Sequence, residues 1–369
     1  MTSRIPYAPS FDHLVYVRVF EGCNLHCEHC FIPKNPKRMD QEAVADVANH
    51  LRKFAKPGQR ILIQWHGGEP TLFGADWMVE AIDRLEAAAP EFQLRHGIQT
   101  NLMTYSKEWG RLFHERFADG LGVSWDPKIR HLGRSDNSNE AYEQIFWRNL
   151  DALIDDGLEP YVVITATKQF FDTFKNPISL FEMLSSRRIR KAHIERLTET
   201  GYARENWPRI GVDNAAFSAG MARLLKAYSV WVSNRDPSDP PLSMSPFDGL
   251  LMSAKLLREQ TNVRGYGCWS GNCDTRFHTV DGSGYKRGCT ALTSEFDNKA
   301  ARKSIDLSEG LERVRGNRRL INCKECRFHS ICSSGCLAVS MDDGSGECSG
   351  GYGLFAAAMA VVESGGGFQ

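Results

Sequence analysis

The chain has 369 residues, 42% hydrophobic and 24% charged, enough for one large globular unit and a smaller one. Lysine plus arginine and aspartate plus glutamate both number 45, so no global field draws nucleic acid or an anionic membrane. No apolar run of ~18 residues could span a bilayer, and the opening MTSRIPYAPSFDH has no signal-peptide core; the expected location is the cytoplasm, where thiols stay reduced.

In chain order, the alternating run HLVYVRVF (13–20) predicts a first strand, followed by a helix over QEAVADVANHLRKFA. ILIQWH precedes the helical ADWMVEAIDRLEAAA, and RHGIQT precedes SKEWGRLFHERFA. GLGVSW leads into a helix through AYEQIFWRNLDALIDDG, PYVVITAT into one near PISLFEMLSS, and KAHIERL is the sixth strand. Strands alternating with helices predict a parallel βα barrel or open sheet, with chemistry at the C-terminal strand ends. The division expected is 1–202 for this unit, 203–265 for a helical connector with the Pro- and Ser-rich link RDPSDPPLSMSP, and 266–369 for a cysteine-rich unit. GYGLFAAAMAVVESGGGFQ ends the chain as one helix and a loose tail.

Eleven cysteines fall in two groups. Cys23, Cys27 and Cys30 lie just past the first strand; Cys268, Cys273, Cys289, Cys323, Cys326, Cys332, Cys336 and Cys348 come late. One three-thiol site and two four-thiol sites use every thiol, whereas disulfides would leave one over. In a reducing compartment metal is favoured.

Cys23-x3-Cys27-x2-Cys30 followed by GGEP (67–70) after strand two resembles the signature of radical S-adenosylmethionine (radical SAM) enzymes. The late spacing, with Cys273-x10-Gly284-x4-Cys289 and Cys323-x2-Cys326-x5-Cys332-x3-Cys336 before Cys348, resembles a SPASM domain, the twin-cluster extension of peptide- and protein-modifying members related to sulfatase maturases. The resemblance implies an α/β fold, a partial (β/α)6 TIM-like barrel with a small cysteine-rich C-terminal iron-sulfur domain. It implies a SAM-binding 4Fe-4S cluster on Cys23, Cys27 and Cys30, its fourth iron left for SAM, and release of a 5'-deoxyadenosyl radical that attacks an unactivated C–H bond. Two auxiliary 4Fe-4S clusters would use Cys268, Cys273, Cys289 and Cys336, and Cys323, Cys326, Cys332 and Cys348. The Cys268 to Cys273 spacing is one residue shorter than in sulfatase maturases. The alternative for the late thiols is zinc.

By the same resemblance Gly67, Gly68, Glu69 and Pro70 would hold the SAM methionine, Ser124 and Gln99 would contact ribose or carboxylate, and Arg134 or Arg148 would pair the carboxylate. His29, where the family often has Tyr or Phe, is expected to pack beside the cluster without ligating it. Strand ends supply Gln64, His66, Gln99, Trp125, Thr167 and Glu195 as substrate-facing candidates, a polar and aromatic set suited to a peptide. Thr290 follows Cys289 where sulfatase maturases have a catalytic aspartate, which argues against oxidation of Cys or Ser to formylglycine and leaves crosslinking, epimerisation or another oxidation.

The expected partners are a peptide or protein substrate and an electron donor such as flavodoxin or ferredoxin. With the first strand starting near residue 13, the leader-gripping N-terminal winged helix of many peptide maturases is not expected before it. Leader recognition is then expected of the barrel rim, the connector or a separate leader-binding protein, or else the substrate is a folded protein or a free peptide without a leader. The alternative functions are a SPASM enzyme acting on a small molecule and a non-catalytic iron-sulfur or zinc protein.

Overall fold

The computed structural model describes residues 11–32, 38–133, 138–236, 238–294 and 307–366. Six strands run parallel in chain order: β1 (His13–Phe20), β2 (Arg60–Gly67), β3 (Gln93–Thr100), β4 (Leu121–Ser124), β5 (Tyr161–Ala166) and β6 (Lys191–Arg196). Between them lie α1 (Gln41–Leu51), α2 (Ala75–Ala88), α3 (Lys107–Arg116), α4 (Ser138–Asp155), α5 (Lys168–Thr173) and α6 (Pro177–Ser186). Several crossovers end on a side chain that accepts from the first helical turn: Asp40 for α1, Ser106 for α3, Thr167 for α5 and Asn176 for α6. The fold is α/β with a parallel sheet, as the alternating pattern predicts.

Three more strands extend that sheet. β7 (Ser243–Ser245) pairs parallel with β6, and β8 (Phe277–Asp281) pairs parallel with the opposite edge, β1. β9 (Gly284–Arg287) closes a hairpin on β8, giving the order β7-β6-β5-β4-β3-β2-β1-β8-β9. β7 lies inside the stretch read as a Pro- and Ser-rich link; three residues, Ser-Met-Ser, are too short to show a period of two. The 203–265 stretch therefore supplies a strand besides α8 (Asn214–Ser233) and α9 (Phe247–Glu259), and α7 (Tyr202–Ile210) precedes them. The late segment adds α10 (Thr290–Ser294), α11 (Leu307–Ile321), α12 (His329–Cys332) and α13 (Tyr352–Glu363), the last packed on α8 and α9.

The two faces of the sheet differ sharply. Val15, Val17, Ile61, Ile63, Trp65, Ile98, Val162 and Ile164 are fully buried in the core shared with the helices. On the other face the register sets Tyr16 beside Gln64, Arg18 beside His66, Gln99 beside Gly122, Thr165 beside Glu195 and His193 beside Ser245. Parallel strands usually bury apolar residues on both faces; here the inner face is polar, and at β6 it borders a chamber lined by His193, Glu195 and Ser245.

Candidate active site

The loop after β1 carries Cys23, Cys27 and Cys30, all partly buried. It is fixed from several sides by backbone. His26 and Glu28 donate their N–H groups to His131 and Ile129 carbonyls at 2.8 and 3.1 Å, and Tyr202 at the start of α7 donates to the Cys30 carbonyl at 2.9 Å. Glu28 accepts from Arg209 of α7 at 2.5 Å and lies 3.1 Å from His131 Nε2. Burial, then the charges of Cys27 and Glu69, pushes the Cys23 thiol up to about 12. Clustered buried thiols of this kind surrender their protons to a cationic centre.

The GGEP turn after β2 is pressed onto that loop, backbone against backbone. Gly68 N–H donates to the Phe20 carbonyl at 2.7 Å, and Glu69 N–H donates to the Gly22 carbonyl at 3.0 Å. A Cβ on Gly67 would sit 2.1 Å from the Phe20 oxygen and one on Gly68 2.0 Å from the Gly22 oxygen; Gly67 also has φ +138°. Both positions therefore require glycine. Pro70 begins the short 3-10 turn Pro70–Phe73. The Glu69 carboxylate is wholly buried. It accepts from Thr71 N–H, Thr71 Oγ1, Thr100 Oγ1 and Asn101 N–H at 3.1, 2.6, 2.8 and 2.7 Å. Asn101 in turn points Nδ2 at Cys23 Sγ, 3.6 Å away, and at Asn24 Oδ1 at 2.7 Å. Burial raises the Glu69 pKa against the lowering effect of its donors.

Past β4, Asp126 is fully buried and forms a two-pronged ion pair with Arg130, whose Nε and Nη2 both lie 2.7 Å from Oδ2. Arg130 Nη1 reaches Cys27 Sγ at 3.7 Å. His29 Nε2 lies 3.3 Å from the same Asp126 oxygen; burial, opposed by Asp126, brings the His29 pKa down to about 4, so the ring is neutral and donates. The arginine beside the thiols is thus Arg130. Arg148 is exposed on α4, where it bonds Asn149, and Arg134 lies outside the described residues.

The inner sheet face carries Tyr16, Gln64, His66, Gln99, Ser124 and Tyr161, with His193 and Glu195 on the chamber at its β6 edge. Gln99 Nε2 donates to Ser124 Oγ at 2.7 Å. His66 Nδ1 accepts from Gly67 N–H at 2.8 Å, and burial brings its pKa to about 4. Glu195 is ringed by protein yet borders the open chamber; burial, then Asp126, pushes its carboxyl up to about 7. Two expected substrate-facing residues point elsewhere. Trp125 follows Ser124 and so turns to the outer face, packed on Trp147 at 4.9 Å. Thr167 is buried as the cap of α5.

The late thiols gather in two sets. Cys273 hydrogen-bonds Cys289, and both lie within electrostatic reach of Cys268 and Cys336, which raise the Cys273 pKa after that bond and burial. Glu195, Cys268 and Cys336 line one cavity with His193 and Trp269. Cys323, Cys326 and Cys348 similarly act on Cys332 after burial, and the Cys332 and Cys348 sulfurs both border Gly350. Arg318 of α11, not legible in the sequence, donates to the Cys336 and Val339 carbonyls at 2.8 and 2.7 Å. Among the described residues no three Cys, His, Asp or Glu side chains converge at single-ion spacing, and none of the helices described is long and apolar enough to cross a membrane.

The sequence pattern of the radical SAM superfamily matches residues 17–169, the span from β1 into α5 that holds the three thiols, the GGEP turn and Arg130. The chain carries a radical SAM domain. The chain is 21% identical over 364 residues to a serine-type anaerobic sulfatase-maturating enzyme of Klebsiella pneumoniae, covering 94% of this chain and 87% of the relative. It is 22% identical over 340 residues to a cysteine-type anaerobic sulfatase-maturating enzyme of Clostridium novyi, covering 85% of each. Among solved structures it shares its fold with anSMEcpe bound to AdoMet and the Cp18Cys peptide, at a TM-score of 0.66 and 18% identity over 95% of this chain and 96% of that one. Streptococcus suis SuiB bound to its precursor peptide SuiA matches at a TM-score of 0.57 and 15% identity, over 89% of this chain and 72% of that one.

Proposed function

We propose that this radical SAM enzyme is a peptide or protein maturase that oxidatively modifies a C–H position of a side chain or backbone carbon. The observation that carries this reading is the docking of the three-thiol loop and the GGEP turn, through two backbone hydrogen bonds, at the ends of β1 and β2 on a sheet whose inner face is polar. Cys23, Cys27 and Cys30 would hold a 4Fe-4S cluster; the donor set fits, being three partly buried thiols on one loop with Asn101 and Arg130 aimed at two of their sulfurs. When bound, the cluster and SAM supply the hard chemistry: one electron from a flavodoxin- or ferredoxin-class donor splits SAM into methionine and the 5'-deoxyadenosyl radical, which takes a hydrogen atom from the substrate.

The chain's own residues do the rest. The Gly67–Pro70 turn, with Gln99 and Ser124, would orient SAM, and the chamber wall would exclude water from the reacting carbon. Cys268, Cys273, Cys289 and Cys336 would hold one auxiliary cluster and Cys323, Cys326, Cys332 and Cys348 the other. The likeness to sulfatase-maturating enzymes, and to two structures solved with a bound peptide, supports a peptide substrate.

Thr290, buried at the start of α10, offers a hydroxyl where sulfatase maturases have a carboxylate. That difference supports a reaction other than formylglycine formation, with Glu195 as the chamber's carboxylate. The test is anaerobic: reconstituted protein with dithionite should release 5'-deoxyadenosine from SAM, and the C23A/C27A/C30A variant should release none. Mass shifts are then sought in peptides encoded beside the gene. A folded, iron-loaded protein that leaves SAM intact refutes the proposal.

A further inference from the structure

Asp126 holds three groups from three different elements, and two of them lead to the thiol loop. Its Oδ2 takes the bidentate pair from Arg130 at 2.7 Å and lies 3.3 Å from His29 Nε2. Its Oδ1 accepts the Thr165 N–H of β5. His29 sits directly before Cys30, and Arg130 is the residue whose free arm, Nη1, reaches Cys27 Sγ. Asp126 and Arg130 are both at least nine-tenths buried, so water screens neither charge well. A guanidinium pinned by two arms to a buried carboxylate has one arm left, and its direction is set by the pair's fork geometry. The spacing Asp126 to Arg130 is four residues in a stretch with no regular helix, so the ion pair ties together the 126–131 segment that also receives His26 and Glu28 through backbone hydrogen bonds to His131 and Ile129.

We infer that Asp126 and Arg130 are positioning residues that set the reduction potential of the cluster on the Cys23–Cys30 loop, Arg130 by donating to the Cys27 sulfur and Asp126 by aiming and partly neutralising it. The inference rests on the cluster assignment under the proposed function. A donor and positive charge at a cluster thiolate stabilise the reduced state, because reduction adds negative charge to the sulfurs. Removing Arg130 therefore makes the cluster harder to reduce. Neutralising Asp126 leaves the guanidinium uncompensated and makes it easier. The two variants are expected to move the potential in opposite directions, which a merely structural role would not produce.

The experiment is a potentiometric EPR titration of the full-length, anaerobically reconstituted protein, following the signal component that changes on SAM addition. Arg130→Gln should lower the reduced-to-oxidised ratio at a fixed potential by about tenfold, ~59 mV for a one-electron couple. Asp126→Asn should raise the ratio, and Arg130→Lys, which keeps the charge but has no fork to aim an N–H at Cys27, should fall between Arg130→Gln and the wild type. Circular dichroism and iron content confirm that each variant is folded and loaded. If Arg130→Gln does not load, Asp126→Asn still decides the matter by the sign of its shift. Unchanged potentials, or shifts of one sign in both variants, overturn the inference. A wild-type protein with no SAM-responsive cluster signal would instead overturn the cluster assignment.

Discussion

Glu69→Gln is nearly isosteric but removes one of two acceptor oxygens. In the wild type Oε1 accepts three hydrogen bonds, from Thr71 N–H, Thr71 Oγ1 and Thr100 Oγ1, and Oε2 accepts one, from Asn101 N–H. The least disruptive glutamine keeps its carbonyl toward the three donors and turns its NH2 at Asn101 N–H, donor against donor. With the side chain wholly buried, no water compensates. Leaving that N–H unsatisfied costs ~1–3 kcal/mol. At ~2 °C per kcal/mol for a large domain this is a fall in melting temperature of ~2–6 °C. Asn101 also donates to Cys23 Sγ and Asn24, so the same change loosens the thiol loop and should weaken SAM binding. The assay is anaerobic thermal unfolding of reconstituted protein together with SAM titration. A variant with wild-type melting temperature and wild-type SAM affinity would refute the reasoning.

Reconstituted protein should hold about twelve irons, four for each of three clusters, and C23A/C27A/C30A about eight; zinc at two equivalents beside about four irons would overturn the late-thiol assignment. Gly68→Ala would place a Cβ 2.0 Å from the Gly22 oxygen, and is expected to abolish SAM cleavage by forcing the GGEP turn off the thiol loop; retained cleavage contradicts this. Cys348→Ala should lose about four irons yet still form 5'-deoxyadenosine, since Cys348 groups with Cys323, Cys326 and Cys332 and not with the Cys23–Cys30 loop; parallel loss in a folded variant contradicts the division of labour. For Glu195, whose carboxyl moves from 4.5 to about 7 on burial and by the charge of Asp126, the raised folded-state value means stability present below ~4.5 and lost as pH rises through ~7. Glu195→Gln should therefore gain in melting temperature on the wild type between pH 5 and pH 8, and a pH-independent difference rules this out.

Much of this was legible because it lies in short-range patterns. Alternation in HLVYVRVF marks β1, and the thiols and glycines sit at strand ends where parallel sheets put chemistry. What was missed depends on contacts between distant residues. Arg130 has no signature in sequence; only the return of the chain from β4 brings it to Cys27, 103 residues away. Trp125 reads as a strand-end aromatic, but one position decides its face, since Ser124 beside it takes the chamber side. Arg318 and α11 were hidden in a polar, Gly-interrupted stretch whose helix is anchored by the carbonyls it caps.

The pairing of β8 with β1 has a consequence for how the chain is made. Leu14 finds its partner on that side, Phe277, 263 positions later (277 − 14). At ribosomal speeds of about 5–20 residues per second, β1 waits on the order of tens of seconds for that neighbour. Until then one border of the nascent sheet offers open N–H and C=O groups to any passing strand. A ribosome that stalls before codon 277 should leave a sticky fragment, so soluble yield ought to follow the rate at which the message up to that codon is read.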